Sequence, residues 1–341
     1  MGALSSGKNA VVKLLVVGCG SIGKRHAENA ARYAEVGIYD QNRSAVLDIA
    51  EKIRSPVFPT WEAALAWRPD GVIISTPHHT HVTFAQEAVM SGAHVLVEKP
   101  ISHTLASVPS LIQCARQQDR KLFVVCNLRF HRAITVLREH LLCIGKPLFA
   151  RAHYGHYLPY MRPQSDYRSL YAAQRAMGGG VILDAIHEVD YLRWFFGEVE
   201  AVFAEAGRLS TLDVDVEDYA SLVLRHSNGV RSEIHLDYLQ QCKRRGCEII
   251  GEEGTLHWQS TGKQPEICTV TLFLKSQPEW KTLYHSLNED ANQSYDQLMY
   301  HFVHALAGQA TELASAEDGL ATLAVSLAAV ASAEQGKSVR I

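Results

Sequence analysis

The sequence predicts a doubly wound α/β domain over residues 1–130, followed by an α+β domain over residues 131–341 built on a mostly antiparallel sheet. Three observations carry this. Short apolar strands alternate with helical stretches through the first third of the chain. A glycine-rich turn separates the first strand from the first helix. Past about residue 145 the alternation gives way to successive strand-like runs, and the chain turns helical again only from about residue 290. A length of 341 residues accommodates two domains.

In order, VVKLLVV (11–17) is a continuous valine-rich run, the pattern of a strand buried on both faces of a parallel sheet. GCGSIG follows, then KRHAENAARYA, which has helical composition. EVGIYD (35–40) reads as a strand, SAVLDIAEKI (44–53) as a helix, and the stretch from Trp61 to Trp67 as a short helix. GVIISTP (71–77) and HVLVEKP (94–100) are further strands, separated by the helix HVTFAQEAVMSG (81–92), which glycine stops. SVPSLIQCARQQ is helical and KLFVVCN (121–127) is a fifth strand. Beyond these come the strand PLFARAHYGHYL, a helix over 178–197, and five strand-like runs, two of them joined by a hairpin turn at SNG (227–229). The closing helical segments, from about residue 290, are expected to pack back on the first domain.

Composition narrows the function classes. The chain is 47% hydrophobic and 20% charged, ordinary for a globular protein able to bury a sizeable core. A formal net charge of -3 makes no electrostatic case for a nucleic-acid or anionic-membrane partner. Seven cysteines, odd in number and without a CxxC, read as reduced thiols of a cytoplasmic protein. No apolar run reads as long enough to span a bilayer. The N-terminal MGALSSGKNA lacks the layout of a signal peptide, while Gly2 and Ser6 match the loose myristoylation pattern.

Gly18, Gly20 and Gly23 form GxGxxG directly after a strand and at the opening of a helix, with Ser21 and Ile22 between the last two. In that context the first glycine permits the tight turn and the second lets backbone approach a pyrophosphate. The third allows close helix–strand packing. The helix N-terminus favours the anion. Asp40 ends the second strand, where an acid would bind the adenosine ribose hydroxyls and repel a 2′-phosphate; NAD is therefore expected in preference to NADP, with Arg43 close enough to offset this. STPHHTH (75–81) and VEKPIS (97–102) close the third and fourth strands, at the end of the sheet where ligands bind, so Lys99 belongs to the cofactor crevice.

These motifs, with VCNLRF, GGGVILDAIHEVDYLRWFFG and EDGLATLAVSLAAVASAEQGKSV, resemble in order and spacing the glucose–fructose oxidoreductase, inositol dehydrogenase and MocA-like family, over residues 12–339. The resemblance implies a Rossmann domain and a second domain with an open-faced sheet, often packed against another subunit in dimers or tetramers. It implies pyridine-nucleotide oxidoreduction of a sugar, cyclitol or related compound. Carried over by position, Lys99 would hydrogen-bond the reacting hydroxyl, His187 would be the general acid–base, and Asp184 would orient or assist. Thr76, Pro77, His81 and Glu98 fit the family's nucleotide side, and Asn127 and Arg129 its crevice lining. One departure stands out: many members place the aspartate four residues before the histidine, whereas Asp184 and His187 are three apart. Either separation leaves the two side chains on one face of a continuous helix.

Histidine, with an unperturbed pKa of about 6.5, suits proton exchange near neutrality, and a lysine stabilises developing alkoxide. The other readings of this segment are a helix cap with a satisfied structural histidine, or a metal site. HExxH is absent, and His187 and Glu188 point apart on a helix, so no metal is expected. Glu188 reads as a surface or ion-pair residue. The stretch 153–175, dense in Tyr, His and Arg, is expected to loop over the site, with Arg162 and Arg168 binding an anionic or nucleotide-linked sugar unless they pair with Asp166 or another subunit. Two competing functions remain: a non-catalytic dinucleotide sensor, against which the presence of both Lys99 and His187 argues, and a redox-neutral glycoside hydrolase with tightly held NAD.

Overall fold

The computed structural model describes residues 11–341, so Gly2 and Ser6 lie outside the described residues. The first strands are β1 (Lys13–Val17), β2 (Glu35–Tyr39), β3 (Gly71–Ile74), β4 (His94–Val97) and β5 (Leu122–Val124). They are linked by α1 (Ser21–Ala30), α2 (Leu47–Ile53), α3 (Trp61–Ala66), α4 (His81–Met90) and α5 (Val108–Gln117). All five strands run parallel in the order β5-β4-β3-β1-β2. Leu14, Leu15, Val16, Ile73, Ile74 and Leu96 are wholly buried, which is why these runs show no alternation. The strand order reverses between β1 and β3, and the crevice opens beyond their carboxyl ends.

The turn after β1 needs its glycines. Gly18 has φ +83°, and a Cβ there would meet the Ser75 backbone at 2.8 Å. A Cβ on Gly23 would stand 1.8 Å from the Gly18 carbonyl oxygen, whereas one on Gly20 would meet nothing within 4 Å. The outer two glycines thus let helix and turn pack, and the middle one leaves backbone open to a ligand.

The second sheet comprises β6 (Pro147–Gly155), β7 (Val199–Gly207), β8 (Tyr219–His226), β9 (Arg231–Asp237), β10 (Arg244–Gly251), β11 (Gly254–Thr261), β12 (Ile267–Leu274) and β13 (Gln277–Ser286). Two short strands come later, β14 (Ala314–Ser315) and β15 (Val339–Arg340). The order is β13-β12-β11-β10-β6-β9-β8-β7-β15, antiparallel throughout except for the parallel β6–β9 pair. Helices α6 (Arg132–Glu139), α7 (Leu158–Met161), α8 (Val181–Asp184), α9 (His187–Phe196), α10 (Gln293–Leu306) and α11 (Ala316–Gln335) complete the fold. One sheet face buries Val202, Leu224, Ile249 and Leu256 against Val189 and Leu192 of α9 and Val325 and Ala329 of α11. Phe203, Val223, Ile250 and Trp280 project from the other face and are exposed.

Residues beyond 290 finish the first core. Leu298, Met299 and Phe302 of α10 pack with Leu14 and Val16, and β14 adds an antiparallel edge to β5. Helix α11, at 20 residues, is long and apolar enough to cross a membrane by length and composition, which corrects the expectation that no run reaches that length. It serves here as a core helix: Gly319 sits against Val124 of the first sheet, and Ser332 Oγ bonds the Ala204 amide of the second.

Candidate active site

Beyond the carboxyl ends of β1, β3 and β4 lies a cavity of about 850 Å³ with walls from both domains. Gly18, Gly20, Ser21 and Ile22 line one end, with Asp40, Thr76, Pro77 and Glu98; Lys99, Asn127, Arg162, Asp184 and His187 line it further along. Asp40 is held at the strand end by the amides of Cys19, at 2.6 Å, and Asn42, at 2.7 Å. The open backbone at Gly20, the N-terminus of α1 and the fixed Asp40 carboxylate are the parts that a dinucleotide requires, so these residues fit NAD. An Asp40→Ala variant is expected to shift the kcat/KM ratio for NADP over NAD upward by at least about tenfold, since it removes a negative charge facing the 2′-phosphate. An unchanged ratio in steady-state assays would show that Asp40 does not select the cofactor.

Two predicted cofactor residues act from behind the wall. Gly23 packs against the turn. His81 is fully buried between the loops after β3 and β4; its ring nitrogens lie 2.8 Å from the Thr76 carbonyl and 2.9 Å from the Pro100 carbonyl, and the neutral ring donates to one of them. Glu98 bonds buried His26 at 2.8 Å and accepts the Lys99 amide at 3.1 Å. Asn127 donates to Ser294 Oγ at 3.0 Å.

The 178–197 segment is not one helix. Helix α8 ends at Asp184, Ala185 leaves the helical region (φ -92°, ψ 31°), and α9 begins at His187. The cause is Lys99. Its ammonium donates to the Asp184 carbonyl oxygen at 2.5 Å, the acceptor that a continuous helix would offer to the Glu188 amide. The Glu188 amide bonds Ala185 instead, at 3.3 Å. The continuous helix expected over 178–197 is therefore broken between Asp184 and His187, although both side chains still line the cavity, and Lys99 is bonded to the last residue of the first piece.

Lys99 Nζ also lies 3.4 Å from Asp184 Oδ1, which accepts a hydrogen bond from the Tyr171 hydroxyl at 2.5 Å. Burial alone would raise the Asp184 pKa; the Lys99 charge and the Tyr171 hydroxyl outweigh it and hold the carboxyl below its usual range. His187 is held well below 6.5 by burial, by Lys99 and by Arg245, so its imidazole is neutral at pH 7. Its Nδ1 is buried without a partner among the described residues, which leaves Nε2 as the nitrogen open to the cavity. Glu188 is fully buried in a two-pronged pair with Arg245, at 2.6 and 3.0 Å.

Arg129 and Arg168 are not where a substrate would meet them. Arg129 turns away from the cavity and pairs with Asp190 of α9 at 3.0 and 2.8 Å and with Asp318 of α11 at 3.3 Å. An arginine this buried is matched to a carboxylate because an unpaired buried charge is costly. It clamps the His187 helix to the end of the first sheet. Arg129→Ala is expected to cost about 3–5 kcal/mol by stranding Asp190; a melting temperature within a degree of wild type would contradict this. Arg168 is exposed and engages Asp166 through three contacts of 2.7 to 3.1 Å, the pairing weighed from sequence.

Tyr171 and His78 were not singled out from sequence, although Tyr171 lies in the stretch noted for its Tyr, His and Arg and His78 in the segment closing the third strand. Their rings meet at 4.6 Å beside Asp184, and burial, above all, lowers the His78 pKa to about 3. Arg25, His131, His156, Lys243, Arg245, Lys263 and Glu266 also line the cavity; none was singled out from sequence, because only the fold brings these separate segments to one site.

Residues 12–126 match the family profile described as oxidoreductase family, NAD-binding Rossmann fold, and residues 143–257 match the GFO/IDH/MocA C-terminal domain. The chain is 29% identical to 1,5-anhydro-D-fructose reductase of Ensifer adhaerens, with 80% of each chain covered. It is 27% identical to myo-inositol 2-dehydrogenase of Thermotoga maritima, covering 97% of this chain and 98% of that one. Among solved structures, an oxidoreductase from Agrobacterium radiobacter in complex with NAD+, L-tartaric acid and magnesium superposes with a TM-score of 0.83 at 21% identity, covering 97% and 98% of the two chains.

Proposed function

We propose that this chain, which belongs to the GFO/IDH/MocA oxidoreductase family, oxidises or reduces a secondary hydroxyl of a sugar, cyclitol or sugar derivative in an NAD-dependent reaction. The observation that carries the reading is the convergence of Lys99, Asp184 and His187 in one cavity with the glycine turn and Asp40. NAD, held by Gly18, Gly20, Ser21, Ile22, Asp40, Thr76, Pro77 and Glu98, supplies the hydride acceptor or donor. His187, neutral at pH 7, takes the hydroxyl proton at Nε2 in the oxidative direction and returns it in reduction. The Lys99 ammonium stabilises negative charge developing on the substrate oxygen. Asp184, itself fixed by Tyr171, holds that ammonium in place. The walls from both domains limit water around the reacting atoms.

The exposed apolar side chains on the outer sheet face, Phe203, Val223, Ile250 and Trp280, support assembly as a homodimer or homotetramer through that face. Seven free cysteines fit a reducing, cytoplasmic setting.

The test is NADH formation by the purified protein with NAD and a panel of inositols, neutral sugars, uronic acids and phosphorylated or nucleotide-linked sugars. Turnover of one class establishes the dehydrogenase. NAD binding without turnover of any member favours a sensor, and release of a glycosidic substituent without net NADH favours the redox-neutral hydrolase.

A further inference from the structure

Four cations line the cavity in addition to Lys99 and Arg245. Arg162 follows α7, Lys243 lies between β9 and β10, Lys263 lies between β11 and β12, and Arg25 is on α1. The first three belong to one hydrogen-bonded unit. The Gly262 amide donates to the Lys243 carbonyl oxygen at 2.9 Å, and the Lys263 ammonium donates to the carbonyl oxygen of Met161, beside Arg162, at 2.8 Å. Arg25 lays its guanidinium over the Tyr295 ring at 4.8 Å. Lys243 alone has a carboxylate partner, Glu266 at 2.7 Å; among the described residues Arg25, Arg162 and Lys263 make no ion pair. The cavity's other two cations are matched, Lys99 by Asp184 and Arg245 by Glu188.

The imbalance is therefore local: four positive groups against one carboxylate. Like charges crowded in a partly enclosed site raise its energy unless an anion joins them. Burial and the charges of Lys243, Arg162 and Arg25 lower the Lys263 pKa, as such crowding requires. His156 lines the same cavity, and its pKa is lowered by burial first and by Lys263 and Lys243 after it. The phosphates of a bound dinucleotide belong at the glycine turn, which opens the helix carrying Arg25, whereas Arg162, Lys243 and Lys263 come from the second domain.

Resting on the dehydrogenase reading above, we infer that Arg25, Arg162, Lys243 and Lys263 form a subsite for a phosphoryl group carried by the substrate. An uncompensated excess of three positive charges suits a phosphate dianion or a diphosphate better than a single carboxylate. The shared chemistry is the phosphoryl group; a sugar monophosphate and a nucleotide diphosphate sugar both present it.

Calorimetric titration of the NAD-saturated protein with inorganic phosphate and with UDP tests this. Wild type is expected to bind both, more weakly as salt is raised, and Arg162→Gln/Lys263→Gln is expected to weaken binding by at least about tenfold. Both replaced side chains are exposed, so the fold tolerates the change, and unchanged NAD affinity verifies it. Arg168→Gln, outside the cavity, is expected to leave phosphate affinity as in wild type. UDP binding at least tenfold tighter than phosphate indicates a nucleotide-linked source, and equal binding a monophosphate source. Absence of binding by either probe, or equal binding by wild type and the double variant, overturns the subsite. NADH formation from a neutral cyclitol without phosphate binding removes only the subsite. Phosphate binding lost in the double variant, with no NADH from any member of the panel, retains the subsite and removes only the dehydrogenase reading.

Discussion

Lys99→Met is expected to lower kcat by about 10³-fold or more while NAD affinity stays near wild type. The ammonium bonds both the carbonyl and the carboxylate of Asp184, at the point where the 178–197 segment breaks. Its loss removes stabilisation of the developing alkoxide and frees Asp184 from its counter-charge. The variant also carries a signature that simple loss of packing would not give. Lys99 is one of the charges that depress the His187 pKa, so removing it raises that pKa. The acid limb of the residual kcat/KM profile is therefore expected to move to higher pH. Activity within tenfold of wild type, or an acid limb that does not move, would remove Lys99 from the chemistry.

His187→Asn is expected to reduce kcat by about 10²- to 10⁴-fold, the usual contribution of a positioned proton acceptor. In wild type the imidazole must be neutral to accept the hydroxyl proton. Burial, Lys99 and Arg245 push its pKa down, so protonation, and with it loss of kcat/KM in the oxidative direction, begins below the ordinary histidine range. The wild-type profile should stay flat from neutrality to below pH 6.5, and His187→Asn should lose the acid limb. A wild-type profile that already falls between pH 8 and 7 would mean that another group takes the proton.

Local pattern made the first sheet legible. Its strands are buried on both faces, so each appears as an unbroken apolar run, and the turn after β1 needs glycine where φ is positive or a Cβ would strike the Gly18 carbonyl. The second sheet was legible as strands but not in its order. Nothing in the spacing of β6 announces that it lies between β9 and β10, because that adjacency comes from long-range pairing. Helix α11 misleads for a related reason: an element packed between two cores has the composition of a membrane span.

In the site, sequence pattern singled out Lys99, Asp184, His187 and Asp40, because strand ends in a parallel sheet converge and a histidine among apolar residues is conspicuous. It could not place Arg129 and Arg168, since the direction of an arginine depends on which carboxylate the fold brings within reach. Asp190 and Asp318 take the first, and Asp166, two residues away, takes the second.

The sequence by itself determined the α/β and α+β architecture and the dinucleotide turn, properties of short segments whose backbone preferences are local, while the roles expected of Lys99, Asp184 and His187 came from the resemblance to a family. Only the tertiary structure decided that the segment from 178 to 197 breaks at Ala185, that Tyr171 fixes Asp184, and that Arg25, Arg162, Lys243 and Lys263 line one cavity. Each of these depends on a contact between residues that are distant in the chain or on separate elements. A lysine 85 positions away captures the carbonyl that would have continued the helix, and no periodicity in the sequence records that competition.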